Sequence, residues 1–458
     1  MLRTIIAKEF AAYVRDGRFL ACTALMLVLF TVAGRVSVGR YHLQRETASV
    51  LANARHTHPR YHGRFHLWSY VYANIWSYGR PTQPMQILVS GSEQHADHRV
   101  AIEFWRMPYY MGDFLMDPLR RLFGALDFVV VTGMVVGLLV FLMAHDTISR
   151  ELESGTLRVL LAAPVPRDTI VLGKLLGGLL AVLTPYVVSV LLLLVTITFD
   201  PSLTLGTTDI TRMLLLLPVG GLYVAGMFAV AAMASVWTRS SGLSALVLLV
   251  LWGLQVIVLP GLGPSIAHLT FSEIAAGDVN AEGEHLGYVD SRTRLEQWSA
   301  EQFDGRWFDQ LNARERDAFD RYQYDLVEQD VGQLLRLSDQ YTRQRRREDR
   351  FTTWVNRVSL YGALQNACMS LANTGPSHDH ALARYNNRYQ GRMLRFVLES
   401  SRESFGDINA SDAPEYRYLP PSTATCVERA FPDVAILCVM AVLAFLLAYL
   451  GFLRMPLV

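Results

Sequence analysis

Few residue groupings in this 458-residue chain have the spacing that chemistry requires. The densest is "HTHPRYHGRFH", which brings His56, His58, His62 and His66 close enough to converge on a metal. No Cys or carboxylate joins them, and a solvated histidine-rich surface is the plainer reading. Of the four cysteines, Cys22 and Cys438 fall within long apolar runs, leaving Cys368 and Cys426 as the pair that could form a disulfide on an oxidising side of a membrane. Cys368 equally suits a small core residue, on a stripe with Trp354 and Leu371. Asp127 stands at the edge of another apolar run, where an ionised group is costly and often functional; snorkelling, or pairing with Arg120 or Arg121, is the plainer account. Hydrolytic patterns are missing from the apolar runs: no H-E-x-x-H helix, no paired carboxylates and no nucleophile with a base.

The remaining candidate is "HDTISRELESGTLRVLLAAPVPRDTIVLGK", His145 to Lys174, a charged and helix-prone stretch between two apolar runs. Its Gly173-Lys174 lacks the upstream glycine and the following Ser or Thr of a phosphate loop, so ATP is not expected on this chain.

The elements that must position these residues follow from composition. Half the chain is apolar and the net charge is +1, which excludes a disordered or nucleic-acid-binding protein. The apolar residues bunch into runs of membrane-spanning length at 19–38, 122–144, 169–198, 213–236, 242–263 and 433–453. The expected fold is therefore an all-α membrane protein with six transmembrane helices. The first run reads as a retained anchor, because the stretch before it is long and contains Glu9 and Asp16, with no convincing cleavage pattern after it. Leu2, Ile5, Ile6, Phe10 and Tyr13 share a helical face, which suits an interfacial helix over 1–18.

Arginine and lysine near the span ends set the orientation. Arg3, Lys8, Arg15 and Arg18, then Arg150, Arg158, Arg167 and Lys174, then Arg239, then Arg454 all fall on one side. That side is expected to be the cytoplasm, with both termini in it, leaving 39–121, 199–212 and 264–432 outside. The second outer segment carries helical stripes from Phe319 to Tyr341, from Phe351 to Leu371 and from Leu382 to Phe396, and is expected to be a mainly helical extracytoplasmic domain. Loops are expected at 277–287, 373–379 and 409–425. The aromatic density of 39–121 suggests packing against lipid or against the other domain. Gly178, Gly220, Gly221 and Gly226 would let spans pack closely, or hinge. "TRQRRREDR", 342–350, reads as a solvated helix face.

In the 145–168 link, Leu152, Leu157, Leu160 and Leu161 form an apolar stripe ringed by Arg150, Glu151, Glu153 and Arg158, while the prolines of "APVPRD" end the helix. Periodicity leaves open whether this is a docking element or a solvated connector. The motif itself resembles the signature of type-2 ABC transporter permeases, an acidic residue, Gly-Thr-Leu, a Leu pair, Pro, Arg, then Gly-Lys entering a span. The matching positions are Glu151, Glu153, Gly155, Thr156, Leu157, Leu160, Leu161, Pro164, Arg167, Gly173 and Lys174. "SLYGALQNACMSLANTG", 359–375, is similar to a marker of a subgroup with a large outer domain between spans five and six.

The resemblance implies a permease subunit, contacted at Arg150 to Arg167 by a separate ABC ATPase that binds ATP and Mg, with the link acting as its coupling helix. It also implies a second permease, the same chain or a sister, membrane lipid around the spans, a cargo still to be identified and a bacterial cytoplasmic (inner) membrane. No cofactor on this chain and no nucleic-acid partner are expected. Scarce charge in the spans favours a hydrophobic or amphipathic cargo, and the coupling-helix motif favours an exporter. An ATP-driven machine that moves its outer domain to regulate an external partner would carry the same sequence features.

Overall fold

The computed structural model describes residues 1–57, 64–66, 76–91, 99–111, 126–162, 164–271, 274–306, 308–403 and 407–455. Helix α1, Leu2–Arg15, is followed after a break at Asp16 by α2, Gly17–Thr57. A second spanning helix, α3, occupies 128–144 and contains a π-turn at Val131–Val136. Two short helices, α4 (Ser149–Glu153) and α5 (Thr156–Ala162), form the link to α6, Arg167–Thr198. Helix α7, Thr207–Thr238, turns at Arg239 into α8, Ser241–Phe271, which has its own π-turn at Leu254–Val258. The chain continues as α9 over 276–303, α10 (Ala313–Asn356), α11 (Leu360–Ala372), α12 (Pro376–Glu403) and α13 (Thr423–Leu453).

Six of these helices, α2, α3, α6, α7, α8 and α13, are long and apolar enough to cross a membrane. Most run past the expected limits; α2 continues beyond 38 to Thr57, because the seventeen residues "YHLQRETASVLANARHT" after Gly39 and Arg40 carry neither proline nor glycine. Helix α1 lies against α6, where a Cβ on Gly177 would come within 2.7 Å of Glu9 and 2.9 Å of the Ile6 carbonyl. Gly451 near the end of α13 meets Trp237 in the last turn of α7. One end of the bundle, the terminal end, therefore gathers α1, the α4–α5 link, Arg239 and Arg454; the opposite, far end carries everything else.

Close packing holds the bundle. Phe30, Phe128, Tyr186 and Tyr223 from four spans are fully buried together, and a Cβ on Gly220 would fall 1.9 Å from the Tyr186 hydroxyl. The same core includes Leu360, Leu364, Cys368 and Leu371, so α11 re-enters the bundle from the far end. Both π-turns face its start. The Leu360 N–H donates to Gln255 in the second π-turn at 3.2 Å, and Tyr361 lies over Gly133 in the first. A π-turn frees carbonyls that lipid cannot satisfy; here the Tyr223 hydroxyl donates to the Gly133 carbonyl at 2.6 Å and Trp252 Nε1 to that of Met134 at 3.0 Å.

Re-entry corrects the single stripe expected from Phe351 to Leu371. The chain breaks at 357–359, Trp354 and Val358 end exposed, and only the second half turns inward. It also removes the disulfide. Cys368 faces the bundle core, Cys426 lies in the first turn of α13 near Arg212 and Arg429, and all four cysteines are free thiols. The 277–287 loop is likewise helical, begun by Asp278, whose carboxylate accepts from the Ala275 N–H at 3.3 Å.

At the far end, strands β1 (Arg64–His66), β2 (Trp76–Gly79), β3 (Arg99–Ile102), β4 (Tyr109–Met111) and β5 (Asp407–Asn409) join the 39–121 and 264–432 segments. β2, β3 and β4 form an antiparallel sheet, and β1 pairs with β5 across the chain. Trp76, Tyr78, Phe104 and Trp105 are buried against Val327, Val331, Tyr389 and Met393, so these aromatic residues of the first segment pack on the helical domain. Helix α10 starts at a capping box, Asn312 accepting from Glu315 N–H at 3.0 Å and Glu315 from Asn312 N–H at 2.9 Å. It then runs unbroken for 44 residues.

Candidate functional site

The link between α3 and α6 is two helices rather than one. Gly155 takes φ +74°, a left-handed conformation that ends α4 without the Cβ penalty another residue would meet. Ser154 and Thr156 hydroxyls close the corner at 2.8 Å, and the Arg158 N–H returns to the Gly155 carbonyl at 3.2 Å. The apolar stripe divides accordingly: Leu157 is buried, Leu152, Leu160 and Leu161 are half-buried against the bundle, and Thr156, Arg158 and Val159 point away, Val159 being 76% exposed.

Every neighbouring element braces this link. The Ser235 hydroxyl on α7 accepts from the N–H groups of Ile148 (3.1 Å) and Ser149 (3.0 Å). Glu153, expected among the docking residues, instead accepts from the Ser241 N–H at 2.8 Å and so caps α8. Glu151 pairs with Lys174 of α6 at 2.6 Å, and the same ammonium pairs with Glu9 of α1 at 3.0 Å. The Lys174 side chain is 0% exposed. The Tyr13 hydroxyl meets Thr147 at 2.8 Å. Arg18 bridges Asp16 at 2.9 Å and Asp146 at 3.1 Å, with Arg150 3.8 Å from Asp16. The Arg18 hydrogen bonds hold the Asp16 carboxyl below the usual aspartate range.

Of the ten link positions expected to form the site, Glu151, Glu153 and Leu157 bond or pack inward. Thr156 and Pro164 are exposed, and Arg167 opens α6. Sequence reasoning missed Glu9 and Ser235. Glu9 could have been found as the lone carboxylate inside α1; nothing about Ser235 marks it out.

Elsewhere, Asp127 does not snorkel, and the partners expected for it, Arg120 and Arg121, lie outside the described residues. It is buried, accepting from Val130 N–H at 3.0 Å as the cap of α3 and from Ser90 N–H at 2.9 Å. The metal candidates also fall outside what is described, His58 and His62 entirely and His56 and His66 in their side chains. At the far end, Arg357 clamps Asp433 of α13 at 2.8 and 3.1 Å, with Asn366 of α11 adding a bond at 3.4 Å.

Compared with known proteins, residues 3–457 match a family described as ABC-2 family transporter protein. No curated protein matches the sequence.

Proposed function

The chain belongs to the ABC-2 transporter family and is a multi-pass permease subunit, and from that premise we propose that it exports a hydrophobic or amphipathic cargo, driven by a separate ATPase that docks on the α4–α5 link. The observation that carries this reading is the outward ridge of Thr156, Arg158 and Val159 on a link braced to α1, α2, α6, α7 and α8. A ridge that is exposed yet rigid transmits a push. Each brace ends on a different helix, so displacement of the ridge is shared by most of the bundle rather than absorbed by a loop.

Differential stabilisation of two span arrangements by the nucleotide state of that ATPase would then drive the cycle. The uncovered faces of α2, α8 and α13, with Val28, Leu246, Val250, Ile257 and Leu443 exposed, suit lipid, a second permease and a cargo with apolar surface. ATP and Mg belong to the partner, because this chain has no phosphate loop.

Val159→Asp combined with Arg158→Glu is expected to leave insertion and folding intact, since both side chains are exposed, while uncoupling the ATPase; a reversed charge at a docked surface costs several kcal/mol. The readout is co-purification of the ATPase and the response of its hydrolysis to a panel of hydrophobic and amphipathic compounds. A variant complex that assembles and responds like the wild type would remove the link from the mechanism.

Orientation has its own check. The basic residues at the terminal end support a cytoplasmic location for that end, in a bacterial inner membrane. Cysteine at Ser240, in the α7–α8 turn, should then resist an impermeant maleimide in intact cells, while cysteine at the exposed Gln340 of α10 reacts. Reaction of both would contradict six spans.

A further inference from the structure

Four guanidinium groups gather from three helices at the far end. Asp349 of α10 pairs with His380 of α12 at 2.8 Å, and further along a Cβ on Gly391 would meet Leu335 at 3.8 Å, so the two helices run antiparallel. Arg346, one turn before Asp349, is thereby set beside Arg384, one turn after His380, and Arg388 follows on the same face of α12. The 414–422 stretch leading to α13 packs on that helix through Tyr416 and Tyr418, whose rings lie 5.2 and 5.5 Å from Tyr385. Arg429 of α13 completes the group: burial, then the charges of Arg346, Arg388 and Arg429, hold the Arg384 pKa below the usual arginine value.

None of the four has a carboxylate partner among the described residues, and four of the acids on these helices are held by other groups. Asp349 is held by His380, Glu348 by Arg345, Asp379 by Arg80 and Asp433 by Arg357. The next arginine along α12 shows the alternative, Arg392 lying over the Tyr385 and Tyr389 rings at 5.9 and 5.2 Å. Like charges one turn apart destabilise a helix, and here a second and a third helix, α10 and α13, add to the crowding. An anion would relieve it.

The depth of the cluster is set by α13. Arg429 lies just before the apolar run of that span, and Val427, Phe431 and Trp354 expose apolar surface at the same level. Charge above and hydrocarbon-compatible surface below match an amphipathic anion at the membrane surface. We propose that Arg346, Arg384, Arg388 and Arg429 form a binding site for a phosphate-bearing anion at this surface. Planar guanidiniums from different helices can each offer two N–H groups to one phosphate. Occupancy would tie α10 and α12 to the end of α13.

The test reads binding alone, without ATP or cargo, so its failure leaves the export reading untouched. The full chain is placed in nanodiscs of phosphatidylcholine with or without phosphatidylglycerol, and lipid retained after extraction is counted by native mass spectrometry. Wild type, and a charge-matched control carrying Arg343→Gln and Arg347→Gln, should retain phosphatidylglycerol. Arg384→Gln with Arg388→Gln should retain at least about tenfold less, as should Arg429→Gln, since charge-assisted bonds are lost. A parallel thermal melt confirms that the variants are folded and titrates inorganic phosphate into phosphatidylcholine discs. Phosphate that raises the wild-type midpoint but not the variant's, and displaces phosphatidylglycerol, assigns the site to soluble phosphate. Retained phosphatidylglycerol with no phosphate effect assigns it to lipid. Equal lipid retention and equal phosphate response in wild type and folded variants would overturn the site and leave a solvated basic face.

Discussion

Replacing Lys174 with methionine is expected to destabilise the protein by about 3–5 kcal/mol, the cost typical of removing one partner from a buried ion pair. The ammonium is fully buried between Glu9 and Glu151, at 3.0 and 2.6 Å. Without it the carboxylates of Glu9 on α1 and Glu151 on α4 are left together with no cation between them. Their repulsion would act on the two elements that Lys174 of α6 joins, α1 and the link. The buried thiols of Cys22, Cys368 and Cys426 allow a direct measurement, because a thiol-reactive fluorophore reports their exposure on heating, in a Cys438→Ser background. The variant should melt well below the parent, and adding Glu9→Gln with Glu151→Gln should restore most of the loss by removing the uncompensated charge. Lys174→Arg should not restore it, since a planar fork needs more room than an ammonium. Equal midpoints for Lys174→Met and its parent would show that the triad contributes nothing to stability.

The second large effect is an asymmetry at the far end. Asp433 is 2% exposed in its side chain, whereas Arg357 is 17% exposed and also lies over Trp354 at 4.9 Å. Arg357→Met strands the buried carboxylate with only the Asn366 bond at 3.4 Å and is expected to cost about 3–5 kcal/mol. Asp433→Asn keeps one acceptor for Arg357, which can still reach water, and should cost about half as much or less. The double variant Arg357→Met with Asp433→Leu should recover stability, because an apolar pair of similar volume carries no desolvation penalty. The same thiol-exposure melt ranks the three. An Asp433→Asn penalty larger than that of Arg357→Met would show that the pair is not organised around the buried carboxylate.

Much of this architecture is written locally. Six apolar runs become six helices because in hydrocarbon the backbone has no partner but itself, and the positions of arginine in the short turns are enough to mark one end of the bundle. The link motif is equally legible, down to Gly155, where a left-handed residue is required. What could not be read is pairing between distant segments. Phe351 to Leu371 has unbroken helical spacing, yet it divides at 357–359 because the "SLYGALQNACMSLA" half finds an apolar slot beside two π-turns, a tertiary gain that overrides the local pattern. Glu153 looks like a docking charge in isolation and proves to be a cap once Ser241 is beside it. Lys174 did carry a signal. Only Lys8 and Lys174 are lysines among 42 Lys and Arg residues, and the buried position is one where a compact ammonium fits between two carboxylates.

Helix α10 ends one residue before the Arg357–Asp433 clamp and has no break along its 44 residues. At 1.5 Å per residue it is a stiff arm about 66 Å long that ends beside the last span, so any tilt of α10 is pivoted there. A tilt of about 5° at that pivot carries the tip near Asn312 through roughly 6 Å. A change in span packing too small to separate any pair of side chains at the clamp thus becomes, at the tip, a displacement the size of a side chain.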